Sequence, residues 1–420
     1  MNIGRWVVWS SYAAILLTAP LVFTSSLSHA MLSQMGIGII ACLSFNLLFG
    51  QGGMLSFGHA VYTGLGSFLA IHSLNLVGKG LPLPVSLVPL VGGLAGLAFA
   101  AVFGWLTTRK AGTTFAMITL GIGELVWATS PLFPGFFGGE AGISANRVAG
   151  PQPLGLSFGP QIQLYYLVCV YTFICTALMF AFTHTPLGRI LNAVRDNPER
   201  AEFVGYDIRK VRYLAFMISA FFAGISGGLA ALNVEIVTSE VLSSTRSAAY
   251  LLFTFLGGAT FFFGPIVGAV IMVLSFTLLS ELTRAWLLYI GLTFLLMVMY
   301  APAGVAGLIA ANLRVAACGR LKELWLSYAW LAVSVLTMLG GAAAIIEMTY
   351  RLQLHPALGS VLSFLGMTLD VRGVNSWLAA GVVTLAGMLL FRISRRRFAR
   401  RWDEVQQSIA AQAERGGSSA

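Results

Sequence analysis

Long apolar runs alternate with short polar connections along the whole chain. They fall at 7–24, 31–49, 54–77, 84–106, 112–130, 162–183, 213–232, 247–263, 264–282, 286–300, 325–347 and 376–392. Most approach the roughly 20 residues that carry an α-helix across a hydrocarbon core about 30 Å thick. The pattern predicts an all-α fold, a polytopic transmembrane helical bundle of about 10–12 spans. The runs at 54–77 and 247–282 are rich in glycine and are expected to hold broken or re-entrant helices. Small residues recur every four positions at Ser219, Ala223 and Gly227, at Gly224 and Gly228, and at Gly92 and Gly96. In lipid, where no hydrophobic drive holds helices together, such spacing lets backbones approach closely.

Composition agrees with the pattern. Of 420 residues, 57% are hydrophobic and only 10% charged, against about 25% charged in soluble domains. The net charge of +10 does not point to nucleic acid, because the basic residues fall between the apolar runs. Placing Arg5 in the cytoplasm puts Arg109, Lys110, the segment 184–212, Arg314, Arg320, Lys322 and the arginines of 392–401 on the same side. The segments 131–161, 233–246 and 348–375 then lie outside, so both termini are expected in the cytoplasm. "SLSHA" at 26–30 resembles a signal-peptidase site, but the preceding apolar run is longer than most signal cores, and an uncleaved first helix is expected. The basic tail from 393 reads as an anchor on an anionic leaflet. Cys42, Cys169, Cys175 and Cys318 lack metal-ligand spacing and read as small hydrophobes. No metal or cofactor is expected. The GxxxxGK[ST] phosphate loop, HExxH and CxxC are all missing, and the carboxylates are too scattered to form a catalytic pair, so an enzyme is not expected.

Polar residues inside spans are costly and mark functional positions. "NLLFGQGGMLSFGHA" (46–60) sets Asn46, Gln51, Ser56 and His59 among Gly50, Gly52, Gly53 and Gly58. Such a run unwinds a helix, and freed backbone at membrane depth is tolerated only when buried in protein or lining a wet cavity. It therefore reads as the lining of a translocation path, or more plainly as a tight turn with one satisfied histidine. Glu124 reads as the only carboxylate deep in a span. It could pair with His59, meet a broken helix N-terminus or face a cavity, as structural glue or as part of the path.

The chain has 25 Lys/Arg and 15 Asp/Glu, and ten of these lie in 184–212. Asn197 can cap a helix, Pro198 suits a first helical position, Glu199 meets the positive helix end and Gly205 can stop it. Upstream, Leu187, Ile190, Leu191 and Val194 share one helical face. Two short helices are predicted, with Ala201 and Val204 as small apolar contacts. A merely basic loop explains the arginines but not the interspersed Asp and Glu. A surface for another protein explains both.

"NLLFGQGGMLSFGHAVYTGLGSFLA" (46–70), "LGRILNAVRDNPERAEFVGYDIRKVRYLAFMISAFFAGISGGLAAL" (187–232) and "FLGGATFFFGPIVGA" (255–269) resemble the LivM-type permease subunits of branched-chain amino acid ABC importers. "GGEAGIS" (138–144) and "YAPAGVAGL" (300–308) resemble that family's outer loop and the end of its core. The resemblance implies an ABC importer permease fold for 31–310, preceded by an N-terminal transmembrane helix (1–30). A further transmembrane pair (311–392) and a basic cytoplasmic tail (393–420) depart from the family pattern. It also implies that "ERAEFVG" is the coupling helix held by an ATPase subunit. Glu199, Ala201, Glu202 and Gly205 would then be the contact, and Arg195, Asp196 and Pro198 its lead-in. Asn46, Gln51, Ser56, Gly58, His59 and Glu124 would line the path. The implied partners are a second homologous permease, two ATPase subunits, a periplasmic or extracellular solute-binding protein and membrane lipid, in a bacterial inner membrane. The family handles branched-chain and other amino acids, urea, short amides and some carboxylic acids. The competing reading is a stand-alone, ion-coupled secondary transporter with Glu124 and His59 as the coupled pair.

Overall fold

The structure, a computed structural model, describes residues 3–150, 157–318, 321–354, 361–364 and 367–417. Arg320 and parts of the segments 131–161 and 348–375 lie outside the described residues. The chain divides into two compact units, Met1–Leu282 with Ile290–Gly307, and Thr283–Tyr289 with Leu308–Ala420.

In the first unit α1 (Ile3–Val22), α2 (Ser26–Phe49), α3 (His59–Gly78), α4 (Val88–Thr107), α5 (Gly112–Thr129) and α6 (Gln161–His184) lead to two short helices, α7 (Pro186–Asp196) and α8 (Pro198–Phe203). Then follow α9 (Ile208–Val234), α10 (Ser244–Gly257), α11 (Gly264–Leu274) and α12 (Trp286–Tyr300), whose first four residues belong to the second unit. The central helix is α9, packed on α4, α3 and α2. The small residues explain why. A Cβ on Gly224 would meet the Gly92 carbonyl, one on Gly96 the Ala220 carbonyl, and one on Gly227 the Thr63 carbonyl. Polar side chains then tie the backbones together: Ser219 Oγ donates to the Ser44 carbonyl (2.6 Å) and Ser67 Oγ to the Gly227 carbonyl (2.8 Å). "GISGG" at 224–228 has the G-x-S-x-G spacing of a hydrolase nucleophile elbow, which sits on a sharp strand-to-helix turn. Here it lies mid-helix in α9, and Ser226 Oγ donates to the Ile37 carbonyl (2.9 Å).

Among the described residues nine helices are long and apolar enough to cross a membrane, and up to ten if a pair bent by 51° counts as one span. That pair is α12 and the start of α13 (Gly304–Ala317). Three predicted runs are not single full spans, and two of them are the glycine-rich runs expected to be broken. The first holds a shorter apolar helix, Trp6–Val22. Residues 26–30 form the first turn of α2, where Ser25 Oγ accepts from the Ser28 amide (3.1 Å). The run at 54–77 becomes helical only at His59, because residues 50–58 are non-helical. The run at 247–263 is not one span: α10 has 14 residues and stops at Gly258, whose φ of 114° favours glycine. Gly304, at φ 68°, packs directly on Gly258.

At the end of the bundle away from α7 and α8, two short strands pair antiparallel, β1 (Ile143–Ser144) with β2 (Ile236–Val237). Arg147 closes the C-terminus of α9. Its guanidinium donates to the carbonyls of Leu232 (3.3 Å) and Asn233 (3.4 Å), where a cation complements the helix dipole. It also reaches the Gly159 carbonyl (3.0 Å), and its amide donates to Glu235 Oε1 (2.8 Å).

The second unit is built on α14 (Leu321–Leu354) and α15 (Val374–Gly417), joined through strands β3 (Val361–Phe364) and β4 (Met367–Asp370). The two helices approach where Gly341 meets Thr384 and Gly387 meets Met338. Glu347 of α14 accepts from Thr283 and from the Tyr289 hydroxyl (3.3 Å). Glu124 is therefore not the only carboxylate within a spanning helix. The predicted end of the run at 347 hid this, because α14 continues seven residues further.

Candidate functional site

The break between α2 and α3 is the polar centre of the first unit. Helix α2 ends at Phe49, and its last carbonyls are used locally: the Gly50 and Gln51 amides donate to the Asn46 carbonyl (2.7 and 3.1 Å) and the Gly53 amide to that of Phe49 (2.8 Å). Gly53 has φ 64°, so the turn needs glycine there. His59 opens α3 beside Ser44, which lies five residues before the end of α2, or about 7.5 Å along its axis. The His59 Nε2 to Ser44 Oγ distance is 2.9 Å, and Ser44 Oγ donates to the Ala41 carbonyl (2.7 Å). With its one hydrogen committed there, Ser44 accepts from His59, which fits the neutral Nε2–H tautomer. Phe45, Tyr62 and Tyr250 surround the ring edge-on.

Neighbouring helices satisfy the freed amides. The Phe57 amide donates to Thr119 Oγ1 of α5 (3.2 Å) and the Ala60 amide to Ser247 Oγ of α10 (2.9 Å). Gly58 lets α5 approach, since a Cβ there would meet the Thr119 carbonyl. Among the described residues two buried side-chain atoms have no partner, Asn46 Oδ1 and Ser56 Oγ. Leaving such groups unpaired costs about 1–3 kcal/mol each. Of the alternatives for Glu124, the pair with His59 is not formed, since His59 bonds Ser44. Glu124 is half-buried, one residue beyond the Gly123 that packs on Gly58, with no hydrogen bond or ion pair among the described residues.

The segment 185–207 folds as two capped helices. Thr185 Oγ1 accepts from the Gly188 amide (3.2 Å) to start α7, and Asn197 Oδ1 accepts from the Arg200 amide (2.9 Å) to start α8, with Pro198 at its first position. Gly205, at φ 96°, ends α8 as its amide reaches the Glu202 carbonyl (2.8 Å) and the Tyr206 amide that of Ala201 (3.2 Å). Asp207 caps α9 through the amides of Arg209 and Lys210 (3.0 and 3.2 Å). The bond from the Lys210 amide, with the Lys210 ammonium and the Arg209 amide adding to it, holds the Asp207 carboxyl below the usual aspartate range.

Two contacts fasten this loop to the α2–α3 break. Arg195 Nη1 donates to the Gly50 carbonyl, and Asn192 Nδ2 donates to Gln51 Oε1 (3.1 Å). The Arg195 stem lies on Gly53, while its guanidinium pairs with Asp196 (2.9 Å). An apolar cluster backs these bonds, joining Leu191, Val194 and Ala201 to Leu48, Met54, Tyr62 and Phe216. So Ala201, expected at the contact surface, is buried inside this chain. Pro198, Glu199, Glu202 and Gly205 are exposed, as are Phe203 and Val204, at 91% and 70%. Phe203 is not among the residues expected at the contact, and Val204, expected with Ala201 as a small apolar contact, lies on the opposite, exposed side from it. The signal was present: an adjacent apolar pair at the end of an otherwise charged helix.

With this geometry in place, comparison with known proteins is informative. The profile of the family described as "Branched-chain amino acid transport system / permease component" matches residues 28–303. The high-affinity branched-chain amino acid transport system permease protein LivM of Escherichia coli (strain K12) is 26% identical over 303 residues, 66% of this chain and 69% of its own length. The probable branched-chain amino acid transport permease protein LivH of Methanocaldococcus jannaschii is 27% identical over 290 residues, 64% of this chain and 88% of its own. No solved structure matches the chain. The matched residues include both the α2–α3 break and the α7–α8 pair, and the chain belongs to the family of branched-chain amino acid transport permease components, as a multi-pass membrane protein.

Proposed function

We propose that this chain forms half of the translocation path of an ATP-binding cassette importer in a bacterial inner membrane, with both termini in the cytoplasm. The second half is a homologous permease, energy comes from two ATPase subunits, and an outer solute-binding protein delivers the cargo. Branched-chain amino acids, named for the relatives, or similar small polar solutes are the cargo class. The observation that carries this reading is the α7–α8 pair. It offers Phe203, Val204, Glu199 and Glu202 outward while Arg195 and Asn192 hold its base on the turn at 50–53. A pull on α8 by a partner thus reaches the α2–α3 break through the extended Asn197 and the end of α7, and the break is the element that switches. Asn46, Gln51, Ser56, Gly58, His59 and Glu124 line or support the path there. The unpaired Asn46 Oδ1 and Ser56 Oγ are buried here, and a solute or water would meet them only once the break opens.

The ion-coupled reading names Glu124 and His59 as the coupled pair, and the two do not meet directly: His59 is bonded to Ser44. Reconstitution separates the two readings. In proteoliposomes holding this chain alone, a proton or sodium gradient should drive no uptake. Adding the second permease, the ATPases with ATP inside and the binding protein outside should start it. Robust gradient-driven uptake by the chain alone would overturn the reading.

A further inference from the structure

We infer that the α14–α15 hairpin holds one anionic phospholipid in a defined groove. The groove lies between the first turns of α14 and the point where α15 changes from apolar to basic, and encloses about 600 Å³. Its floor is apolar, made by Leu326 and Trp330 of α14 and Leu390 and Ile393 of α15. Its rim carries Arg397, Arg400 and Arg401, with Glu404 as the carboxylate beside them. From Val374 to Phe391 helix α15 has no charged residue, and 18 residues of helix cover about 27 Å. The arginines therefore emerge at headgroup level, one hydrocarbon thickness from the start of the helix. Trp330, which is exposed, is of a type that settles at that interface.

Charge selects the occupant. The stretch 392–401 holds six arginines and no carboxylate. Guanidinium groups match a phosphodiester in pairs, as a planar two-pronged donor set. A free phosphate would use the rim and leave the floor in water. A neutral lipid would use the floor and leave three cations unmatched. An anionic phospholipid such as phosphatidylglycerol uses both, with its phosphate at Arg397 and Arg401 and the start of an acyl chain along Trp330 and Leu390. A generally basic anchor on a charged leaflet requires no such floor, so the groove goes beyond the tail's topological role.

The test is native mass spectrometry of the full chain, delipidated in detergent and titrated with phosphatidylglycerol or phosphatidylcholine. One phosphatidylglycerol per chain should be retained in preference to phosphatidylcholine. The double variant Arg397→Gln/Arg401→Gln should weaken retention on the order of tenfold or more, from about 1 kcal/mol per basic residue. Arg392→Gln/Arg396→Gln removes the same charge from the same helix outside the groove and should retain the lipid. Trp330→Ala, with every charge in place, should also weaken it. Glycerol 3-phosphate should not compete at equal concentration. Equal binding of the two lipids, equal loss in both double variants, full retention in Trp330→Ala, or displacement by glycerol 3-phosphate would each overturn the proposal.

Discussion

Helices α2, α3 and α9 bury 72% of their spanning windows inside the chain, whereas α14 and α15 bury 17%. Both sets are equally apolar by pattern, and both use glycines where they touch. What differs is how many sides are used. Around α9, glycines admit backbones on several faces at once, from Gly92, Gly96, Thr63 and Gly66. In α15 the close approaches are confined to the face carrying Thr384 and Gly387, and Gly381 meets nothing within 4 Å. Large exposed apolar residues such as Trp325, Leu336 and Leu385 fill the rest. Helices in lipid associate through close packing, not hydrophobicity. The first set thus makes an interior that can hold polar groups, and the second leaves most of its apolar surface outside the chain's own packing.

The widest separation between the two regions should come from filling a glycine. Gly227→Leu drives a side chain into the Thr63 carbonyl and should cost roughly 3 kcal/mol or more, read as a lowered melting temperature in nanodiscs. Gly381→Leu should stay within about 0.5 kcal/mol. Equal effects would dissolve the contrast. A second pair of changes asks the same question of a single short helix. Phe203→Asp should leave the chain's own melting unchanged and reduce ATPase co-purification on the order of tenfold or more, as expected of an exposed anchor. Ala201→Asp should instead destabilise the chain, because it buries a carboxylate among Leu191, Val194 and Val211. Less costly is Ser44→Ala, which leaves His59 Nε2 unpaired inside the first unit and should cost about 1–3 kcal/mol in the same melt. The smallest effect concerns Asp207. Its carboxyl titrates lower folded than unfolded, so its contribution is present above the ordinary aspartate value and is lost as pH falls through the depressed one. The parent should lose slightly more stability than Asp207→Asn on going below about pH 4.

Much of this was legible in the sequence where the governing interactions are local. Thr185, Asn197 with Pro198, and Gly205 sit within a few residues of the amides and carbonyls they serve, so the two short helices could be read from caps and turns. The regular spacing of Ser219, Ala223 and Gly227 likewise marked a packing face. The remainder depends on distant partners. Arg195 reaches Gly50 across 145 residues, and no local pattern announces it. Which side of α8 is buried could not be read either, because six residues give too little periodicity to place Ala201 inside and Val204 outside. A break was expected in the glycine-rich run 247–282, but which of its glycines makes it, Gly258 at positive φ, was not. Ser44, not Glu124, partners His59 because α2 and α3 meet at that level, which depends on where each helix ends.

The central claim is that the α7–α8 pair transmits force to the α2–α3 break through Arg195 and Asn192. Its most direct measurement is paired: ATP hydrolysis and solute uptake in the same proteoliposomes, for the complete importer carrying Asn192→Ala and Arg195→Ala together. Arg195 and Asn192 bond the turn at 50–53, whereas Phe203 stands outward, so assembly and hydrolysis should persist while uptake per ATP falls on the order of tenfold, the loss of two hydrogen bonds, one of them to a charged group. Uptake per ATP equal to that of the parent would contradict the account.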